Sequence, residues 1–165
     1  MMYRVLVFLH VFSAFVFFLI HGATAAVMFA LKRERDAKQV KSLLTIRDFA
    51  TKWMALPLGI LFISGIVMGF MGHWWNQTWI WLAIGLFLAI SFPMSGFGRP
   101  YHDRLWHAID PQGHAPPTKK EKPFAQPASP EELAGLLAVG RPMLLTVIGV
   151  VGLGIILWLM MFKPF

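Results

Sequence analysis

YRVLVFLHVFSAFVFFLIHGATAAVMFAL, residues 3–31, contains no acidic group, and its single basic residue, Arg4, stands at the very start. About 20 consecutive apolar residues suffice to carry a helix across the hydrocarbon core of a bilayer, so this stretch reads as a membrane span. It is too long for a signal peptide and runs into Lys32-Arg33 instead of a small-residue cleavage site, so it is expected to be retained. Two histidines, His10 and His21, interrupt it. Their spacing is close to three helical turns, which projects both rings from one face about 16 Å apart along the axis. Ala14, Phe17, Thr24 and Met28 fall on or near the same stripe. An imidazole is costly in hydrocarbon, and such residues mark functional sites.

The rest of the chain agrees with a membrane setting. It has 165 residues, of which 57% are hydrophobic, with a mean hydropathy of +0.61. Soluble domains run near 45–50% on a count that also includes glycine. There is no cysteine, which excludes disulfides, thiolate ligands, iron–sulfur clusters and covalent haem attachment. The formal charge of +7 is gathered in segments between apolar runs. That pattern points to membrane topology and anionic headgroups, not to nucleic acid.

Four spans follow, at about 3–31, 46–71, 78–95 and 142–162, within one membrane domain covering residues 1–165. The connectors at about 32–45 and 97–129 carry an excess of Lys and Arg and are therefore assigned to the cytoplasm. The turn at 72–77 has neither Lys nor Arg. An all-α four-helix bundle with both termini on the outer side satisfies every connector. Arg47, Asp48 and Lys52 should then lie near the headgroups, where long basic side chains snorkel. Trp74, Trp75, Trp79 and Trp81 suggest an interfacial aromatic belt. Gly65 and Gly69 form a GxxxG face for close helix approach. Ser129-Pro130-Glu131-Glu132 is a capping box ahead of the last span. A faint echo links Leu43–Arg47 with Leu137–Arg141 at the entries of the second and last spans.

Among the candidate site residues, His10 has two readings. It is either a buried histidine satisfied by a carbonyl or a hydroxyl such as that of Ser13 or Thr24, or an axial ligand to a b-type haem. The opposite ligand is then His73, or Met68 or Met71 of the second span. His21 has the same two readings and adds a proton-relay or quinone-contacting role. His10 and His73 are the metal-ligand candidates. Ten methionines also invite copper, a weaker reading without a dense Met-rich motif. His102 and His107, five residues apart, do not share a helical face, so a solvated interfacial segment is expected there, with His114 exposed. No Ser/His/Asp set, P-loop or paired membrane carboxylate is visible, so no catalytic activity of its own is expected.

The opening Leu9-His10-Val11-Phe12-Ser13-Ala14-Phe15-Val16-Phe17 resembles the first-helix pattern of the CopD-like and HemJ-type superfamily of small bacterial membrane proteins. The closing Ile156-Leu157-Trp158-Leu159-Met160-Met161-Phe162-Lys163-Pro164 resembles the end of its uncharacterised four-helix branch. The resemblance implies the bacterial cytoplasmic membrane and an axial-ligand role for His10. The leading expectation is thus a haem-b-binding or redox-associated membrane protein. The alternative is a cofactor-free accessory subunit of a larger respiratory or photosynthetic complex, its faces bound by lipids and partner subunits.

Overall fold

The computed structural model describes residues 1–114, 124–139 and 142–164. These form α1 (Met2–Arg33), α2 (Ala37–Met71), a 3-10 turn (Trp74–Asn76), α3 (Thr78–Ile109), α4 (Pro130–Val139) and α5 (Pro142–Phe162), with no strand among the described residues. α1, α2, α3 and the stretch Pro130–Phe162 are each long and apolar enough to cross a membrane.

Two boundaries differ from the sequence reading. The charged connector between the first two helices shrinks to residues 34–36, and α2 begins at Ala37 instead of near Ile46. Asp36 caps it, its carboxylate accepting the Lys38 N–H at 3.0 Å. Glu34 accepts the backbone N–H groups of Asp36 (2.9 Å) and Arg35 (2.8 Å), which hold its carboxyl below the usual range. The first turns of α2 are amphipathic: Val40 and Leu44 are fully buried, whereas Lys38, Lys41 and Ser42 face outward. The second difference is larger. α3 does not stop near Ser95 but runs through Pro93 and Pro100 to Ile109, so part of the expected loop 97–129 is helix. Intramembrane helices tolerate such prolines when neighbouring groups satisfy the freed carbonyls. Burial of Leu105, Trp106 and Ala108 holds the extension in place. The Pro-rich stretch at 115–123, Gly140 and Arg141 lie outside the described residues, so the echo between span entries cannot be traced past Val139.

The capping box forms as read. Glu132 accepts the Ser129 N–H at 2.8 Å, and Ser129 Oγ accepts the Glu132 N–H at 3.3 Å.

The helices make a ring of two hairpins. α1 packs along α2 over most of its length, α3 packs on α5, α1 touches α5, and α2 meets α3 only sparsely. Buried residues gather at the two ends. At one end Leu31, Val40, Leu44, Leu105, Trp106, Leu133 and Leu137 join α1, α2, α3 and α4. At the other, Trp79, Ile80, Ala83 and Leu159 join α3 and α5. Trp79 is therefore core, only 2% exposed, whereas Trp81 remains outside. Tyr3 meets Trp74 edge-on, and Lys163 Nζ lies 4.0 Å over the same indole, so the start of α1 and the end of α5 lie at one end of the bundle.

Gly152 shows how closely α5 approaches α3. A β-carbon there would overlap Ile90 Cδ1 and stand 2.8 Å from its Cγ1. Gly152→Leu is expected to cost about 1–3 kcal/mol through overpacking. Ile90→Ala in the same chain should recover part of it, as thermal unfolding in detergent would show.

Candidate functional site

His10 sits on α1 against α2. Its Nδ1 lies 3.0 Å from the Leu61 carbonyl and 3.2 Å from Ser64 Oγ. A carbonyl oxygen only accepts, so Nδ1 carries the proton and donates, and Nε2 keeps its lone pair. Ser64 is buried and spends its own proton on the Ile60 carbonyl at 2.6 Å. The partners are thus a carbonyl and a hydroxyl, as one reading expected, but they come from α2 and not from Ser13 or Thr24. Gly65 supplies the seat: a β-carbon there would come 3.1 Å from His10 Cε1. Gly69, one turn on, holds the Trp75 ring in the same way, at 3.0 Å. The GxxxG face therefore cradles two aromatic rings. Trp75 Nε1 beside it is buried with no partner among the described residues.

Of the proposed opposite ligands, Met68 is buried and lies on the α2 stripe that carries Leu61, Ser64 and Gly65. Met71 is 40% exposed. His73 stands beyond the end of α2, exposed, with left-handed backbone (φ 55°), and the structure does not bring it against His10.

His21 shares the α1 stripe with His10 but has a different neighbour. Its Nε2 would stand 3.3 Å from a β-carbon at Gly149 of α5, and Phe17 stacks parallel on its ring at 5.9 Å. Thr24 Oγ1 donates to the His21 carbonyl at 2.8 Å, leaving the imidazole itself without a hydrogen bond among the described residues.

The sequence reading missed a polar cluster at the other end. Asp48, the one carboxylate of α2, accepts from His102 Nε2 at 2.7 Å and from Trp106 Nε1 at 2.8 Å, with Arg47 3.6 Å away. His107 is also buried, bonded to the His114 carbonyl (2.6 Å) and accepting from the Phe124 N–H (3.0 Å). His114 stacks on Trp106 at 4.6 Å. The expected solvated segment is therefore a packed one. Five-residue spacing leaves His102 and His107 on different faces, but both are covered, His102 by Asp48 of α2 and His107 by His114 and Phe124. The signal that could have found the cluster is His102 and Trp106 at i, i+4 on one face of α3, with Asp48 as the single carboxylate of α2.

Among the described residues no group of three or more His, Asp or Glu side chains converges as a metal site.

Long apolar helices in antiparallel hairpins, with half-buried imidazoles on α1 facing α2 and α5, define a multi-pass integral membrane protein. Residues 4–95 match the model of the family described as "Predicted integral membrane protein (DUF2269)", and the chain belongs to that family. The matched residues include His10, His21, Asp48, Leu61, Ser64, Gly65 and Met68 and stop short of His102. Neither a curated protein nor a solved structure matches the sequence.

Proposed function

We propose that this protein holds a b-type haem in the bacterial cytoplasmic membrane, with His10 Nε2 as one axial ligand and Met68 as the opposite one. The observation that carries this reading is the His10 hydrogen bond. Metal-ligating histidines commonly donate their other ring N–H to a carbonyl, which fixes the tautomer and leaves a basic nitrogen for the metal. The Nδ1–H to the Leu61 carbonyl meets that requirement, and Gly65 leaves room for the ring to keep its orientation. Met68 is buried on the same α2 stripe. A haem so held would supply one-electron chemistry, its potential raised by a thioether ligand. The chain's own contribution is to orient one imidazole and keep water away.

The likeness of the Leu9–Phe17 segment to the CopD-like and HemJ-type superfamily supports the same role. The basic residues Lys32, Arg33 and Arg35 at the α1–α2 turn support a cytoplasmic position for that end, which leaves Trp74–Asn76 outside. The test is a reduced-minus-oxidised visible spectrum of the detergent-purified protein, with pyridine haemochrome quantitation. The expected result is a b-type signal near one haem per chain. A folded preparation from a haem-replete host without that signal would overturn the reading in favour of a cofactor-free subunit of a larger complex.

A further inference from the structure

His21 opens on a cleft of about 200 Å³ between α1 and α5, lined among others by Phe18, Gly22, Thr146, Leu153 and Gly154. We propose that this cleft binds the head ring of a quinone-class, lipid-soluble molecule, held by a hydrogen bond from His21.

Depth is the first argument. Along α1, His21 lies about 28 Å from Met2 and about 18 Å from Arg33, so it falls within the hydrocarbon core. An imidazole there, without a hydrogen-bond partner among the described residues, is a cost that a bound polar atom would remove. Phospholipid headgroups stay at the surface and cannot bring an oxygen to that depth, acyl tails have no polar atom at their middle, and charged solutes do not partition there. A neutral ring carrying carbonyl oxygens does both. The second argument is placement. His21 and Thr146 line the cleft from opposite helices, the arrangement that suits a ring with oxygens on opposite edges. Size is the third. The cleft is below the range of about 300–1,000 Å³ that encloses whole drug-sized ligands, so it takes a ring and leaves an isoprenoid tail in the bilayer. Gly22 and Gly154 line it and border open space, since a β-carbon at either would meet nothing within 4 Å.

The binding site does not depend on haem at His10, and the experiment separates the two. The full-length protein in lipid nanodiscs is photolabelled with an azido-ubiquinone and competed with decylubiquinone, and its haem content is recorded beside the label. The expected labelled peptides come from α1 around His21 and from α5 between Thr146 and Leu157. His21→Phe keeps the stacked ring but loses the nitrogen, and should weaken competition about fivefold to tenfold, the value of one hydrogen bond. Gly154→Leu, or Gly22→Leu from the other wall, fills open space and should abolish labelling. Labelling unchanged in these variants would overturn the proposal. So would hexadecane competing as well as decylubiquinone, which would make the cleft an acyl-chain groove. Labelling that persists in protein without haem would leave this site standing and remove only the haem reading.

Discussion

His10→Ala is expected to strip the b-type absorbance from the purified protein, lowering haem per chain roughly tenfold or more. Even the outer partners of metal-bound histidines cost 10–100-fold when lost, and on the haem reading proposed above His10 is the ligand itself. The fold should survive, because α1 packs along α2 over most of its length and His10 is one contact among many. Adding imidazole to the His10→Ala protein should restore part of the Soret band, which a merely structural role for His10 would not allow. Gly65→Leu gives an independent check. Its β-carbon starts 3.1 Å from His10 Cε1, and the larger side chain must push the imidazole off its seat, so haem should fall although the ligand remains in the sequence. Ser64→Ala should matter little, since the Leu61 carbonyl keeps the Nδ1–H satisfied. Pyridine haemochrome assays on the three variants and the parent read all of these outcomes.

Asp48→Ala carries the largest expected loss of stability. The carboxylate accepts from both His102 Nε2 and Trp106 Nε1, which sit on nearly buried side chains. Removing it leaves two donors without an acceptor, and hydrogen bonds to charged groups are worth about 1.5–3 kcal/mol each. The Asp48 side chain is 43% exposed, so water replaces part of what is lost and the net cost is placed at about 2–3 kcal/mol. Asp48→Asn keeps one acceptor oxygen and should cost less. Trp106→Phe combined with Asp48→Ala should cost clearly less than the sum of the two single changes, because Trp106→Phe removes a donor that Asp48→Ala has orphaned. Thermal unfolding of the four proteins in one detergent gives the cycle.

Hydropathy made the four long helices legible, because a run such as Tyr3–Leu31 admits no other stable structure in lipid. The capping box at Ser129 and Glu132 was equally legible, since both partners lie within four residues. What sequence could not reveal was contact between distant elements. Asp48 reads as an interfacial charge until His102 and Trp106 are brought to it from the far end of α3. The groups that meet His10, the Leu61 carbonyl and Gly65, likewise stand on another helix more than 50 residues along the chain. The boundary at Pro93 misled for a related reason: proline breaks an isolated helix, whereas here the buried Leu105 and Trp106 hold the extension. The α2 start was missed because Lys38 and Lys41 hide a short amphipathic face made by Val40 and Leu44.

The slight contact between α2 and α3, beside the long seam of α1 on α2, bears on how the protein is made. Chains emerge from the ribosome N-terminus first, and early units fold before later ones exist. The first hairpin can therefore close in the bilayer, seat His10 on Gly65 and hold that shape while α3 is still being synthesised. The second hairpin then docks as a finished piece, and Asp48 waits as an open latch until His102 and Trp106 arrive to shut it.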